Sequence, residues 1–247
     1  MDVTLEKPPP RWAHTLSRFN HWMMFDIGGG PRPFKLATII NLQKAGTFPV
    51  IALLMWYYAG KTPAATSTAA WLYLAMHGSY GLVWLMKDLR FPDAHWQGRA
   101  TIASSITDAA ALALYWLAGF VLISGISTQN YPLPKNAWFC LCVTLCILGC
   151  VIMIAADVQK FSTLRVKRGL ITDGMFKRVR HPNYLGEMMV YGSFTLLAWH
   201  WIPVLVLAYY WGLMFSTNMA MKEASMSRYP DWREYKERSW WLVPYVF

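Results

Sequence analysis

The stretch NLQKAGTF sets Gln43 and Lys44, and AMHGSYGLVW sets His77 and Tyr80, inside long apolar sequence. Polar side chains at membrane depth are costly, and they mark functional sites by default. Three residues apart on a helix, His77 and Tyr80 share a face. A charged lysine or histidine carries acidic protons, so Lys44 and His77 are candidate donors. A structural reading stands beside this one: each is a satisfied buried polar group, with Lys44 neutralised by Asp108 in an ion pair.

A second group is FKRVRHPNYLGEMM, residues 176–189, where basic residues precede Asn183, Gly186 and Glu187 at the start of an apolar run. An arginine-rich loop with a glycine that permits close backbone approach suits phosphates. The same charges also serve as the basic flank of a membrane helix against anionic lipid.

Both groups need elements to hold them. The 247 residues are 55% hydrophobic, with mean hydropathy +0.26 and only 15% charged. Such a chain is expected to be an all-α, polytopic helical membrane bundle, because spanning helices satisfy their own backbone groups. Apolar runs near 37–59, 68–86, 104–126 and 137–156 are each about long enough to span. The run 188–217 contains WHWIP, and Pro203 disfavours helix at Ile202, which predicts a hairpin of two shorter helices. With a further amphipathic helix near 10–30, the count is about six or seven. Nearly all Lys and Arg fall before 36, in 87–103, in 157–187 and after 218, which an even number of spans gathers on one face, expected to be cytoplasmic. The net charge of +10 then needs no nucleic acid.

The opening MDVTLEKPPPRW has no apolar core or small-residue cleavage site, so no cleavable leader is expected. Cys142, Cys146 and Cys150 are spaced i, i+4, i+8 with no His or acid beside them. They read as small packing residues, and no metal is expected.

ADVQKF, DGMFKRVRHPNYLGE and the tail RYPDWREYKERSWWLVPYVF together resemble the steroid 5-alpha-reductase C-terminal domain family, over roughly 155–247. That family is similar to the membrane sterol reductases and, more remotely, to the isoprenylcysteine and phospholipid methyltransferases. The resemblance implies a single membrane domain that binds NADPH in its C-terminal half, 137–247. The substrate side would lie in the helices of 1–126, and the reaction would saturate a conjugated double bond in a lipid-like substrate. By the same resemblance, Asn183, Gly186 and Glu187, with Tyr184 between them, contact the cofactor. Asp157 matches the family's Asp, while Arg165 and Arg168 become phosphate partners, joined by Arg180 and His181. Lys87 and Arg90, in KDLRFPDAHW, could reach the same phosphates. The substrate half departs from the pattern. Gln43 matches the Gln of the reductases' Gln-Glu pair, but Lys44 stands where the Glu would be, and the family's Tyr falls near His77 or Tyr80.

A proton or hydrogen-bond donor near the carbonyl oxygen would stabilise the charge that hydride transfer creates there. Two other functions fit the residues less fully. A methyltransferase using S-adenosylmethionine would rest on Arg180-His181-Pro182 with Tyr184 and Gly186. A lipid-binding relative without catalysis would follow from the change at position 44. An inner membrane of a bacterium and an endoplasmic reticulum both suit the chain, and its oligomeric state is left open.

Overall fold

A computed structural model describes residues 7–246. The chain is an all-α membrane bundle, and among the described residues the sheet is limited to two paired dipeptides, β1 (Phe34–Lys35) and β2 (Arg99–Ala100). Among the described residues four helices are long and apolar enough to cross a membrane: Leu36–Tyr58, Ile102–Ile123, Lys135–Val166 and Trp201–Met226. The first is α2. The second is built from α5 (Ile102–Ala113) and α6 (Leu117–Ile123) across a short 3-10 turn, and the third is α7. The fourth joins α9 (Trp201–Tyr209) to α10 (Ser216–Met226) through a π-helical turn, Tyr210–Phe215.

Two further rods complete the bundle. α3 (Thr68–Tyr73) runs through a second π-helical turn, Leu74–Gly78, into α4 (Ser79–Arg90). α8 (Pro182–Ala198) opens with Pro182 at its first position, where the missing N–H is no loss. An amphipathic α1 (Arg11–Phe25) packs on α5 and α10, as the extra helix near 10–30 anticipates. A short α11 (Trp232–Glu237) lies in the tail.

The expected hairpin forms, but its break is earlier than Ile202. Trp199 takes a left-handed conformation at φ 41°, and His200 Nδ1 accepts the N–H of Ile202 at 3.2 Å. Pro203 therefore sits in the first turn of α9, where a proline is tolerated.

The loop expected from 157 also begins later. α7 continues to Val166, because DVQKFSTLRV holds no Gly or Pro. Its 32 residues measure about 48 Å, well beyond the roughly 30 Å hydrocarbon core. Asp157, Lys160 and Arg165 are thus fixed on a helix and not in the loop.

Glycines let two pairs of helices meet backbone to backbone. A Cβ on Gly186 would stand 2.5 Å from the Gly149 carbonyl oxygen and 2.6 Å from the Met153 nitrogen, so α7 and α8 meet backbone to backbone. A Cβ on Gly81 would stand 2.0 Å from the Lys44 carbonyl oxygen, so α4 lies directly on α2 at that residue.

Candidate active site

The Gly81 contact brings Tyr80 to Lys44. The lysine Nζ donates to Tyr80 Oη at 3.3 Å and to Tyr191 Oη from α8. It lies 4.6 Å from the Tyr80 ring, 4.7 Å from those of Trp84 and Tyr191, and 5.7 Å from that of Tyr115. Tyr115 in turn stacks on Tyr191 at 4.2 Å. Aromatic faces stabilise a desolvated cation by one or two kcal/mol each at best, on the order of 0.5–2. The ion pair expected as the structural alternative does not form: among the described residues no carboxylate lies within 4 Å of Lys44. The aromatic box takes the place of Asp108.

Lys44 closes the inner end of a cavity of about 430 Å³. Ile40, Leu112 and Met153 give it an apolar wall, and Trp84, Tyr115, Tyr191 and Tyr210 an aromatic one. Asn183, Tyr184 and Glu187 line it from the first turns of α8, and Asn218 and Lys222 from α10. Two polar atoms in its wall have no partner among the described residues, Trp84 Nε1 and Asp108 Oδ2.

A second cavity, also about 430 Å³, adjoins the first. Lys87, Asp93, Asp157 and Lys160 line both. Lys87 Nζ meets Asp157 Oδ2 at 2.9 Å, and Lys160 Nζ meets Asp93 Oδ2 at 3.5 Å. Burial disfavours charge on Asp93, yet Lys160, the His95 N–H and the nearby Lys222 and Lys87 hold its carboxyl below the usual carboxylate range. Arg165 and Arg168 line only the second cavity, so unpaired positive charge concentrates at that outer end. Together the two make a basic mouth that leads inward to an aromatic chamber.

The structure therefore gathers Lys44, Lys87, Asp157, Arg165, Arg168, Asn183, Tyr184 and Glu187 around one cleft, with Tyr80 directly behind Lys44. Other expected residues lie elsewhere. His77 is buried one layer back, with Nδ1 2.8 Å from Tyr73 Oη and its ring stacked on Phe194. Gln43 is buried and lines neither cavity. Arg90 ends α4 on the exposed surface. Gly186 lines neither cavity and sits at the α7–α8 contact.

Arg180 and His181 also face away from the cleft. Arg180 Nε donates to Glu223 Oε1 at 2.7 Å, its Nη1 reaches the Ser239 carbonyl, and His181 Nε2 lies 3.2 Å from the same Glu223 oxygen. With the backbone bonds Arg180 N to Trp240 O and Trp240 N to Arg178 O, they strap the tail to the start of α8. Burial lowers the His181 pKa, an effect that the Glu223 hydrogen bond and charge only partly offset.

Tyr191, Trp84, Tyr115 and Lys222 are site residues that sequence reasoning passed over. A signal was present: Tyr184, Glu187 and Tyr191 fall at i, i+3, i+7, and Tyr80, Trp84 and Lys87 at i, i+4, i+7, each one helical stripe.

The family described as "Protein of unknown function (DUF1295)" matches residues 71–239, which include every cleft residue from Trp84 onward. The chain is also similar to the Delta(14)-sterol reductase ERG24 of Saccharomyces cerevisiae, 26% identical over 99 residues. That match spans 36% of this chain and 22% of the length of the yeast protein.

Proposed function

This chain belongs to the DUF1295 family, and from that premise we propose that it is a membrane reductase that uses NADPH to saturate a conjugated carbon–carbon double bond in a lipid-like enone. The observation that carries the reading is the continuity of the cleft, from Arg165 and Arg168 to the Lys44–Tyr80–Tyr191 cluster. The partial similarity to a protein named as a sterol reductase supports the same class.

The donor set fits a pyridine dinucleotide. Arg165, Arg168 and Lys160 would hold its phosphates by charge-assisted hydrogen bonds, and Asn183 and Glu187 offer amide and carboxylate groups to a ribose or carboxamide. When bound, NADPH supplies the hydride. The rest falls to the protein. Hydride added to the alkene carbon remote from the carbonyl would place negative charge on the carbonyl oxygen, and a proton from Lys44 there would give an enol that tautomerises to the saturated ketone. Lys44 carries three donor hydrogens, and two of them are oriented by Tyr80 and Tyr191. The third is free to meet that oxygen. Preorganised donors in a dry chamber act strongly because they need no reorganisation. The apolar wall admits the lipid body, in keeping with a substrate that enters from the membrane.

Titration of the detergent-solubilised protein with NADPH and with S-adenosylmethionine tests this reading. Saturable NADPH binding is expected. Arg165→Ala and Arg168→Ala should each weaken it ten- to a hundredfold, roughly 1.5–3 kcal/mol for a hydrogen bond to a charged group. Glu187→Ala should weaken it as well. Binding of S-adenosylmethionine with no response to NADPH would sink the reductase reading.

A further inference from the structure

Lys160 already has a partner. Its Nζ lies 3.5 Å from Asp93 Oδ2, in the outer cavity where a phosphate would need it. Asp93 stands in the segment 91–98, between the end of α4 and β2. Its other oxygen, Oδ1, accepts the His95 N–H at 2.9 Å and so caps the 3-10 turn Ala94–Gln97. His95 and Trp96 of that turn line the inner cavity. One carboxylate therefore links the wall of the aromatic chamber to the helix that carries Lys160 and Arg165.

The junction between the cavities holds two ion pairs, and they differ. Lys87 and Asp157 meet at 2.9 Å from two helices, with the lysine side chain only 4% exposed. Lys160 and Asp93 meet at 3.5 Å, each side chain is 35% exposed, and the aspartate belongs to a loop. Exposed pairs are worth at most about 1 kcal/mol, so this one yields to a stronger anion. Phe91 also packs on Phe161 of α7, at 5.5 Å between ring centres. The far end of the segment is held separately, by Leu36 N–H on Gly98 O and by Lys35 Nζ on Gln97 Oε1. Loss of the Asp93 pair would thus free the middle of the segment and keep its anchor. A pyrophosphate group brings more charge and more acceptor oxygens than one carboxylate, and Arg165 and Arg168 line the same cavity as Lys160.

We propose that Asp93 is a positioning residue whose carboxylate holds Lys160 in place of a ligand phosphate, and that phosphate entering the outer cavity displaces it and frees the segment 91–98. The first ligand then loosens part of the inner chamber wall before the second arrives. Linkage makes the coupling reciprocal, so release of the segment raises phosphate affinity by the same factor. The proposal rests on the outer cavity as the phosphate end, which is part of the reductase reading above.

The test is hydrogen–deuterium exchange of the full-length protein in detergent, read by mass spectrometry over 91–98, with inorganic pyrophosphate as the probe. Exchange in that segment should rise severalfold when pyrophosphate saturates wild type. Asp93→Asn keeps an oxygen for the His95 N–H and loses the charge, so it should bind pyrophosphate about tenfold more tightly. Its segment should exchange fast with and without the anion. Lys160→Gln should show the same fast exchange and bind pyrophosphate more weakly. A merely structural Asp93 would lose anion affinity on substitution and not gain it. Unchanged or weaker pyrophosphate binding in Asp93→Asn overturns the proposal. So does a wild-type segment that stays protected with pyrophosphate bound, and so does failure of the anion to bind either protein. NADPH titrated in parallel separates the two readings. NADPH that binds while the segment stays protected overturns the proposal and leaves the reductase reading standing. Pyrophosphate that frees the segment, with no binding of NADPH, counts against the reductase reading and leaves the role of Asp93 standing.

Discussion

Lys44 and Tyr191 meet through a hydrogen bond inside the bundle although 147 residues separate them. The contact joins α2 to α8, and so joins the helix that carries the buried cation to the helix whose first turns carry Asn183 and Glu187. Neither half of the chain makes the chamber alone.

Replacement of this cation should separate chemistry from cofactor binding. In Lys44→Met the side chain keeps its length and its place among the rings but loses its protons. Turnover should fall about 10²- to 10⁴-fold, the usual range for a lost proton donor, while NADPH affinity changes little. Unchanged turnover on the true substrate would place the donor elsewhere.

The strap between Arg180 and Glu223 should act on stability. Glu223→Gln leaves the buried Arg180 charge without its partner, which costs about 3–5 kcal/mol, while Arg180→Leu leaves a half-buried carboxylate still beside His181 and costs less. The paired replacement Arg180→Met with Glu223→Leu should recover much of that loss, since apolar residues of similar volume often replace a buried ion pair without penalty. Unfolding of the three variants in detergent, followed by circular dichroism, checks the order.

Gly186 should behave as a packing residue. Gly186→Ala places a Cβ against the backbone of α7, an overpacking that costs roughly 1–3 kcal/mol or more. Its NADPH affinity per folded molecule should be unchanged. A variant that folds normally yet loses the cofactor would return Gly186 to the binding site.

His181 gives a pH dependence with a definite sign. Its pKa is lowered by burial, against Glu223, with Lys222 and Arg180 acting in the same direction as burial. The folded protein therefore holds the imidazole neutral at pH values where the unfolded chain, with a pKa of about 6.5, already binds a proton. Stability contributed by the neutral form is present above that unfolded value and is lost as pH falls from about 6.5 towards the lowered folded value. His181→Asn should flatten the fall in the unfolding midpoint over that window. An identical slope in wild type and variant would assign the effect to another group.

The bundle was legible because hydrophobic length and the clustering of Lys and Arg are properties of sequence alone. α2, the rod from Thr68 to Arg90, and α5 with α6 begin and end close to their expected limits. The site was legible in part. Lys44, Tyr80, Asn183, Glu187 and Arg165 stand out by type and position, and the cleft gathers them. Arg180 and His181 stand out equally, yet their direction depends on the tail, which folds back through Trp240 and Ser239. Tyr191 and Trp84 were hidden for the opposite reason. In a chain with 13 Tyr and 14 Trp, an aromatic residue draws no notice until its neighbour across the bundle is known.

The π-helical turn at Leu74–Gly78 carries one residue more than an ordinary helical turn would. Everything after it is rotated by about 100° relative to Tyr73, the angle of one residue in a 3.6-residue turn. Trp84 and Lys87 owe their view of the cleft, and Tyr80 its contact with Lys44, to that single surplus residue. Deletion of one position there would keep a continuous helix and a similar composition, yet swing Trp84 and Lys87 out of the chamber wall and Tyr80 away from Lys44.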